Sequence, residues 1–229
     1  FVHPDEKQKT QEEFEALNKG EGSHYFDNRH ITKSGKVIWL LWTTKPFYDE
    51  GITYSVGKDI TEEKELRELL DQANRLAKIG SWELDLINNE VWWSDIAREI
   101  HETEPDFSPV LEEGINFYKE GESREIITEA VKQAMENGTP WDLELQIVTA
   151  KGNEKWIRTI GEAEIVNGKP VRIYGIFQDI HSRKTTDEKL KEKTMQLDAI
   201  ARFNALLIKE DNWFRALDKS LEHFGEVAG

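Results

Sequence analysis

The sequence predicts an α+β fold present in two copies, the first incomplete, with helices joining and following them. Three observations predict it. "YSVGKDITEEK" at residues 54–64 returns as "YGIFQDIHSRK" at 174–184, with Tyr, Asp, Ile and Lys each displaced by 120 residues. "GKVIW" (35–39) returns as "GNEKW" (152–156), displaced by 117, and self-similarity over so long a period marks a repeated structural unit. The complete copy groups two strand-like runs before its helices and three after them, a segregation typical of α+β architecture. The three-residue difference in displacement falls where "YDEG" and "VNGK" read as hairpin turns, the place where an antiparallel meander best tolerates a change of length.

The first copy starts at "FVHPDE" and reads as one helix and three strands up to Ile60; its two opening strands would lie upstream. "TEEKELRELLDQANRLAK" (61–78) reads as a joining helix, with Thr61 as cap and Glu62 and Glu63 at the positive end of its dipole. Leu66, Leu69, Ala73 and Leu76 are spaced 3-4-3, either a short coiled-coil seam or a face packed on the helix's own sheet.

The second copy opens with "SWELDL" (81–86), which alternates Trp82, Leu84 and Leu86 with polar residues. "NNE" turns it into "VWWS", and Ser94 caps a short helix, "SDIAREIHE". Loops are expected after Pro105 and Pro109, then a helix, "ESREIITEAVKQAMENG", stopped by Gly138. Strands follow at 141–149, 155–166 and 171–180, and a helix at about 185–209 in which Leu197, Ile200, Asn204 and Leu207 fit one heptad frame while Lys193 interrupts it upstream.

Composition narrows the function. A chain of 229 residues with 38% hydrophobic residues, eight Trp and ten Phe predicts one or two ordered domains. A formal net charge of −15 repels nucleic acid, and no basic cluster offsets it. The absence of cysteine removes disulfides, thiolate metal sites and a cysteine nucleophile, and fits a reducing cytoplasm. The longest strongly apolar run, "VIWLLW" (37–42), falls far short of the roughly 20 residues that span a bilayer. With neither a signal peptide nor an initial Met, the chain reads as a piece of something longer.

"HPDE" entering a helix, G-x(3)-W, a turn, and a last strand ending in "DIT" or "DIH" before a charged helix occur here in one order, and in this order they resemble the PAS domain family, in tandem. The resemblance covers roughly 1–61 and 78–181 and implies a five-stranded antiparallel sheet with helices on one face. We place a first, partial domain at 1–61, a linker at 62–77, a complete domain at 78–182, an exit helix at 183–209 and a further domain from 210. In that last stretch Phe214, Leu217, Leu221 and Phe224 resemble the opening helix of a GAF domain, or form a plain amphipathic helix. The sequence departs from the family pattern at His181, which replaces the usual Thr, and at "YKEGES", which replaces "HPDE" in the second copy.

The resemblance implies a sensory and relay module of a bacterial signalling protein, foremost a sensor histidine kinase whose output domain lies elsewhere in the chain. A diguanylate cyclase, a transcription activator or a ligand-free dimerisation scaffold are the alternatives. It assigns the relay to Asp59, Ile60 and Thr61 and to Asp179, Ile180 and His181, where the carboxylate accepts from the helix-side backbone, the alternative being that they are simply strand terminators and helix caps. It also implies a parallel homodimer through the helical seams, with no membrane contact by this stretch.

Trp82, Trp93, Leu143, Leu145, Trp156 and Phe177 are candidates to line a pocket, or simply to form core. His101-Glu102 with Pro105 resembles a kinase phospho-acceptor box, but its spacing is one short and we read His101 as structural. The long helix of the second copy offers no His for haem, and cysteinyl-flavin chemistry has no Cys. We therefore expect no coloured cofactor, no metal and no catalytic residue, with a small ligand still open.

Overall fold

The computed structural model describes residues 1–19, 25–47, 51–209 and 219–222. They fall into two compact units, Phe1–Leu76 and Ala77–Gly229.

In the first unit, His3 Nδ1 accepts from Asp5 N at 3.4 Å and starts a 3-10 turn, Pro4–Glu6. Proline suits the first position of a helical turn because its fixed φ is already helical and its missing N–H would have no partner there. Helix α1 (Lys7–Asn18) continues the turn, and strands β1 (Tyr25–Ile31), β2 (Val37–Phe47) and β3 (Ile52–Asp59) form an antiparallel meander in the order β1-β2-β3. Asn28, 1% exposed, knits the unit: its Oδ1 accepts from Trp42 Nε1 at 2.9 Å, and its Nδ2 donates to Thr10 Oγ1 on α1 at 2.8 Å. Apolar burial is sparse. Leu17 and Ile60 are buried, while Phe14, Tyr54 and Val56 stay exposed.

Helix α2 (Thr61–Ala77) matches the expected span. Leu66, Leu69 and Leu76 are 56%, 63% and 87% exposed and Ala73 is exposed as well. The reading in which this stripe packs on the helix's own sheet is therefore wrong.

The second unit contains β4 (Ile79–Asp85), β5 (Glu90–Trp93), α3 (Asp95–His101), α4 (Leu111–Asn116), α5 (Glu122–Asn137), β6 (Trp141–Val148), β7 (Glu154–Val166) and β8 (Lys169–Asp179). Its sheet runs β5-β4-β8-β7-β6 with every neighbour antiparallel. By sequence displacement β1, β2 and β3 correspond to β6, β7 and β8, so the first sheet is the second without β4 and β5 among the described residues. Ser94 Oγ accepts from Ala97 N at 3.3 Å and caps α3, and Gly138, at φ 73°, ends α5 in the left-handed conformation that glycine adopts without strain. Asn167 and Gly168, both at positive φ (53° and 77°), form the expected tight turn between β7 and β8.

Helix α4 corrects the reading of loops after Pro105 and Pro109. Glu113 Oε2 accepts from Val110 N at 3.2 Å, and Leu111 and Ile115, one turn apart, pack on the core. That core is continuous: Trp82, Leu84, Trp93, Ile127, Ile147, Ile157, Ile173 and Phe177 are buried between the sheet and α3–α5.

Helix α6 (His181–Lys209) leaves β8 directly. Among the described residues no helix is long and apolar enough to cross a membrane. Of the GAF-like stripe only Leu221 is described, 63% exposed in a short helical stretch. Phe214, Leu217 and Phe224, and with them that resemblance, lie outside the described residues, as does the side chain of Leu207 in the α6 seam.

Candidate functional site

Both helices begin in the same way. At the first junction Ile60 N donates to Trp39 O at 2.9 Å, closing the last rung of the sheet, and Ile60 O accepts from Lys64 N at 3.0 Å, opening the helix. At the second, Ile180 N donates to Trp156 O and Ile180 O accepts from Lys184 N, both at 3.0 Å. One residue thus ends a strand with its N–H and starts a helix with its carbonyl. The preceding Asp does the capping: Asp59 Oδ1 accepts from Thr61 N, and Asp179 Oδ1 from His181 N, each at 2.9 Å. A short carboxylate reaches the amide two residues on without disturbing the backbone, and so satisfies an orphan N–H of the first turn.

Thr61 is consequently not the cap. Its hydroxyl donates to Asp59 Oδ1 at 2.5 Å and accepts from Trp39 N at 2.9 Å, clasping helix start to strand β2. The Thr61 hydroxyl and amide together hold the Asp59 carboxyl below the usual carboxylate range. His181 forms no such clasp, and its Nδ1 is buried without a partner. Asp179 has a different addition: its N–H donates to Lys78 O at 3.1 Å, and its Oδ2 lies 3.7 Å from Lys78 Nζ.

Inside the second unit, Trp82 stacks on Trp141 (centroids 5.5 Å, 19° between planes) and on Phe177 (5.8 Å, 26°). Beside them lies a cavity of about 50 Å³, lined also by Trp93, Tyr118, Ile127 and Thr159. Pockets for drug-sized ligands usually measure roughly 300–1,000 Å³, so this one fits a guest of a few atoms. Its polar atoms gather around Thr159, whose Oγ1 accepts from Trp141 Nε1 at 3.3 Å and which also bonds the Tyr118 side chain; Trp82 Nε1 is buried with no partner. Burial pushes the Tyr118 phenol well above its ordinary value.

Of the six expected pocket residues, Trp82, Trp93 and Phe177 line this cavity. Leu145 is buried in the same core and Leu143 packs against it, but neither reaches the cavity. Trp156 is a correction: Ile157, 0% exposed, takes the core side, and strand alternation turns Trp156 to the other face, where Lys184 Nζ sits 4.9 Å from its ring. Tyr118, Trp141 and Thr159 were missed, although the alternation of "WDLELQIVT" already places Trp141 on the face of Leu143 and Leu145.

His101 is fully buried among Trp93, Phe117 and Phe177, with Nδ1 2.8 Å from Ala97 O and Nε2 without a partner. Burial lowers its pKa to about 4, so it stays neutral. Its structural reading holds. Glu102, held at about 2 by hydrogen bonds from Thr149, Asn153 and Lys155, ties the end of α3 to the β6–β7 turn. Among the described residues no group of three or more His, Asp or Glu is placed to hold a metal ion.

A family model described as PAS fold matches residues 1–56 and 90–177. A blue-light-activated histidine kinase of Brucella abortus (strain 2308) is 25% identical over 177 residues, covering 68% of this chain and 35% of that protein. The sensor protein FixL of Bradyrhizobium diazoefficiens is 28% identical over 123 residues, 53% of this chain and 24% of FixL. The chain thus spans about a third or less of these relatives' length. Among solved structures, a sensory box histidine kinase/response regulator from Burkholderia thailandensis E264 matches at 23% identity and a TM-score of 0.46, over 56% of this chain and 97% of that one. The N-terminal domain of a diguanylate cyclase with PAS/PAC sensor from Marinobacter aquaeolei matches at 13% and 0.43, over 46% and 98%.

Proposed function

The chain belongs to the PAS-fold family, and from that premise we propose that it is the sensory and relay part of a bacterial sensor histidine kinase. Conformational change in each sheet passes into α2 and α6 and onward to a kinase output domain elsewhere in the protein. The observation that carries this reading is the junction itself, built twice from Ile60 and Ile180 as the shared last rung and first turn, each with an Asp cap. A helix joined to its sheet in this way cannot keep its direction if the last strand shifts. The second unit acts as the sensor, taking at most a small ligand in its cavity; haem and a cysteinyl-flavin stay outside this reading.

The exposed seam of Leu66, Leu69, Ala73 and Leu76, with Leu190, Leu197 and Ile200 exposed on α6, supports a parallel homodimer. Light scattering at micromolar concentration is expected to give a dimer that Leu69→Glu weakens. A monomer unaffected by that change overturns the dimer.

Asp179→Ala tests the relay. It removes a charge-assisted hydrogen bond, typically about 1.5–3 kcal/mol, comparable to the coupling of many switches at about 1–3 kcal/mol. The fold and most of the melting temperature should survive, amide exchange should quicken within residues 180–190, and kinase output in the full-length protein should no longer follow the sensor. Global unfolding would reduce Asp179 to a structural cap. Normal output would remove it from the relay.

A further inference from the structure

Lys64 and Lys184 occupy equivalent places, 120 residues apart, in the first turn of α2 and of α6. Each makes the same two contacts. Lys64 Nζ lies 2.6 Å from Asp27 Oδ2 and 4.9 Å from the Trp39 ring. Lys184 Nζ lies 2.6 Å from Glu144 Oε2 and 4.9 Å from the Trp156 ring. Asp27 and Glu144 stand on β1 and β6, and the two Trp on β2 and β7. The lysine therefore ties the helix start to the two strands beyond the one that leads into it.

An isolated ion pair at the surface contributes little, because water screens it and ordering two long side chains costs entropy. These pairs differ from that case. The lysines are only 37% and 30% exposed, an aromatic face covers one side of each ammonium, and hydrogen bonding to the lysine holds Asp27 and Glu144 below the usual carboxylate range. The arrangement also forms twice from different carboxylates, which a chance rotamer does not explain.

The two junctions are not equally held. At the first, the Thr61 hydroxyl bonds both Asp59 and Trp39 N. At the second, His181 Nδ1 is buried with no partner, and the side chain that joins Lys184 on Glu144 is Arg183. We propose that Lys184 is the positioning residue of the exit junction: clamped between Glu144 and Trp156, it fixes the first turn of α6 to β6 and β7, supplying there what Lys64 and Thr61 supply together at α2. The proposal rests on the relay reading and adds the strands through which a change in the sheet reaches α6.

Hydrogen exchange of the whole 229-residue chain tests it. Lys184→Gln and Glu144→Gln should each quicken exchange at residues 181–186, roughly tenfold, as expected for losing a charge-assisted bond. The double variant should be no faster than either single one, Glu144→Asp should restore slow exchange, and Arg183→Gln should change it less than Lys184→Gln. Lys64→Gln should have a smaller effect at 61–66, growing to that of Lys184→Gln when Thr61→Val is added. Additive effects of Lys184→Gln and Glu144→Gln, or unchanged exchange in both, overturn the clamp. The outcome is separable from the relay reading: if Asp179→Ala uncouples output while the lysine variants exchange normally, the relay stands and the clamp fails. Looser exchange in the lysine variants with unchanged full-length output supports the clamp and counts against the relay.

Discussion

The two units share a junction and differ in nearly everything beneath it. The second has a continuous core of aromatic and branched residues under five strands; the first buries Leu17 and Ile60 under three and leaves Phe14, Tyr54 and Val56 in water. Yet Ile60 and Ile180 make the same bonds within 0.1 Å of each other. The junction is thus set by local backbone and polar contacts among the last three strands and the helix start. Core and junction are separable parts, and substitutions should affect them separately.

The largest expected effect breaks the comparison at the core. Trp93, 2% exposed, touches His101, Phe107, Phe117 and Phe177. Trp93→Ala should lose about 3–5 kcal/mol in a denaturant titration, whereas Phe14→Ala, at a site 55% exposed, should stay within about 0.5 kcal/mol. Equal losses would mean that the first unit has a closed core in solution.

Acid should separate the units next. His101 titrates near 4 in the folded protein against an ordinary 6.5, so the unfolded chain takes up a proton that the folded one refuses. Its contribution is fully present above about pH 6.5 and disappears as pH falls toward 4, a loss of up to about 3 kcal/mol from the second unit. Glu102 continues the trend from its ordinary 4.5 down to about 2. In the first unit Asp27 and Asp59, both lowered, lose their contribution only as pH falls below the ordinary aspartate range, while His30, lowered by burial, follows the direction of His101. Melting of the second unit between pH 7 and 4.5 should show the slope, and His101→Leu should flatten it.

The smallest effect sharpens the comparison at the junctions. Thr61→Val removes the clasp on Trp39 and Asp59 and should cost about 1 kcal/mol, read as faster exchange at the start of α2. His181→Thr should move the start of α6 in the opposite direction. A slowing there, with no change in global melting, would show that the missing hydroxyl is what distinguishes the two.

Legibility followed the range of the interaction. Asp59, Ile60, Asp179 and Ile180 were readable because the chain repeats them and because the Asp caps and the helical bonds to the two Ile carbonyls reach only two to four residues along it. Asp27 and Glu144 were not, since the two differ in type and meet their lysines only once the sheet has formed. Trp156 and Ile157 are adjacent apolar residues in one strand, and the face toward the core also carries Thr159 and Gly161. Gly161 stands there because the Trp141 ring occupies the space a Cβ would need, 2.4 Å away. Polar and small residues on the inner face thus hid the period-two pattern. Helix α4, six residues just beyond a pair of prolines, is too short for its period to show.

Helix α6 is 29 residues long, about 43 Å at the usual rise, and its side-chain ties to the sheet, Arg183 and Lys184 on Glu144, lie in its first turn. It is therefore a lever with its fulcrum at Ile180. A tilt of about 5° at that point, a displacement smaller than a bond length within the first turn, carries the far end about 4 Å, most of a helical pitch. What happens at the sheet can be too small to resolve as a movement and still arrive downstream as a step large enough to exchange one set of side-chain neighbours for the next.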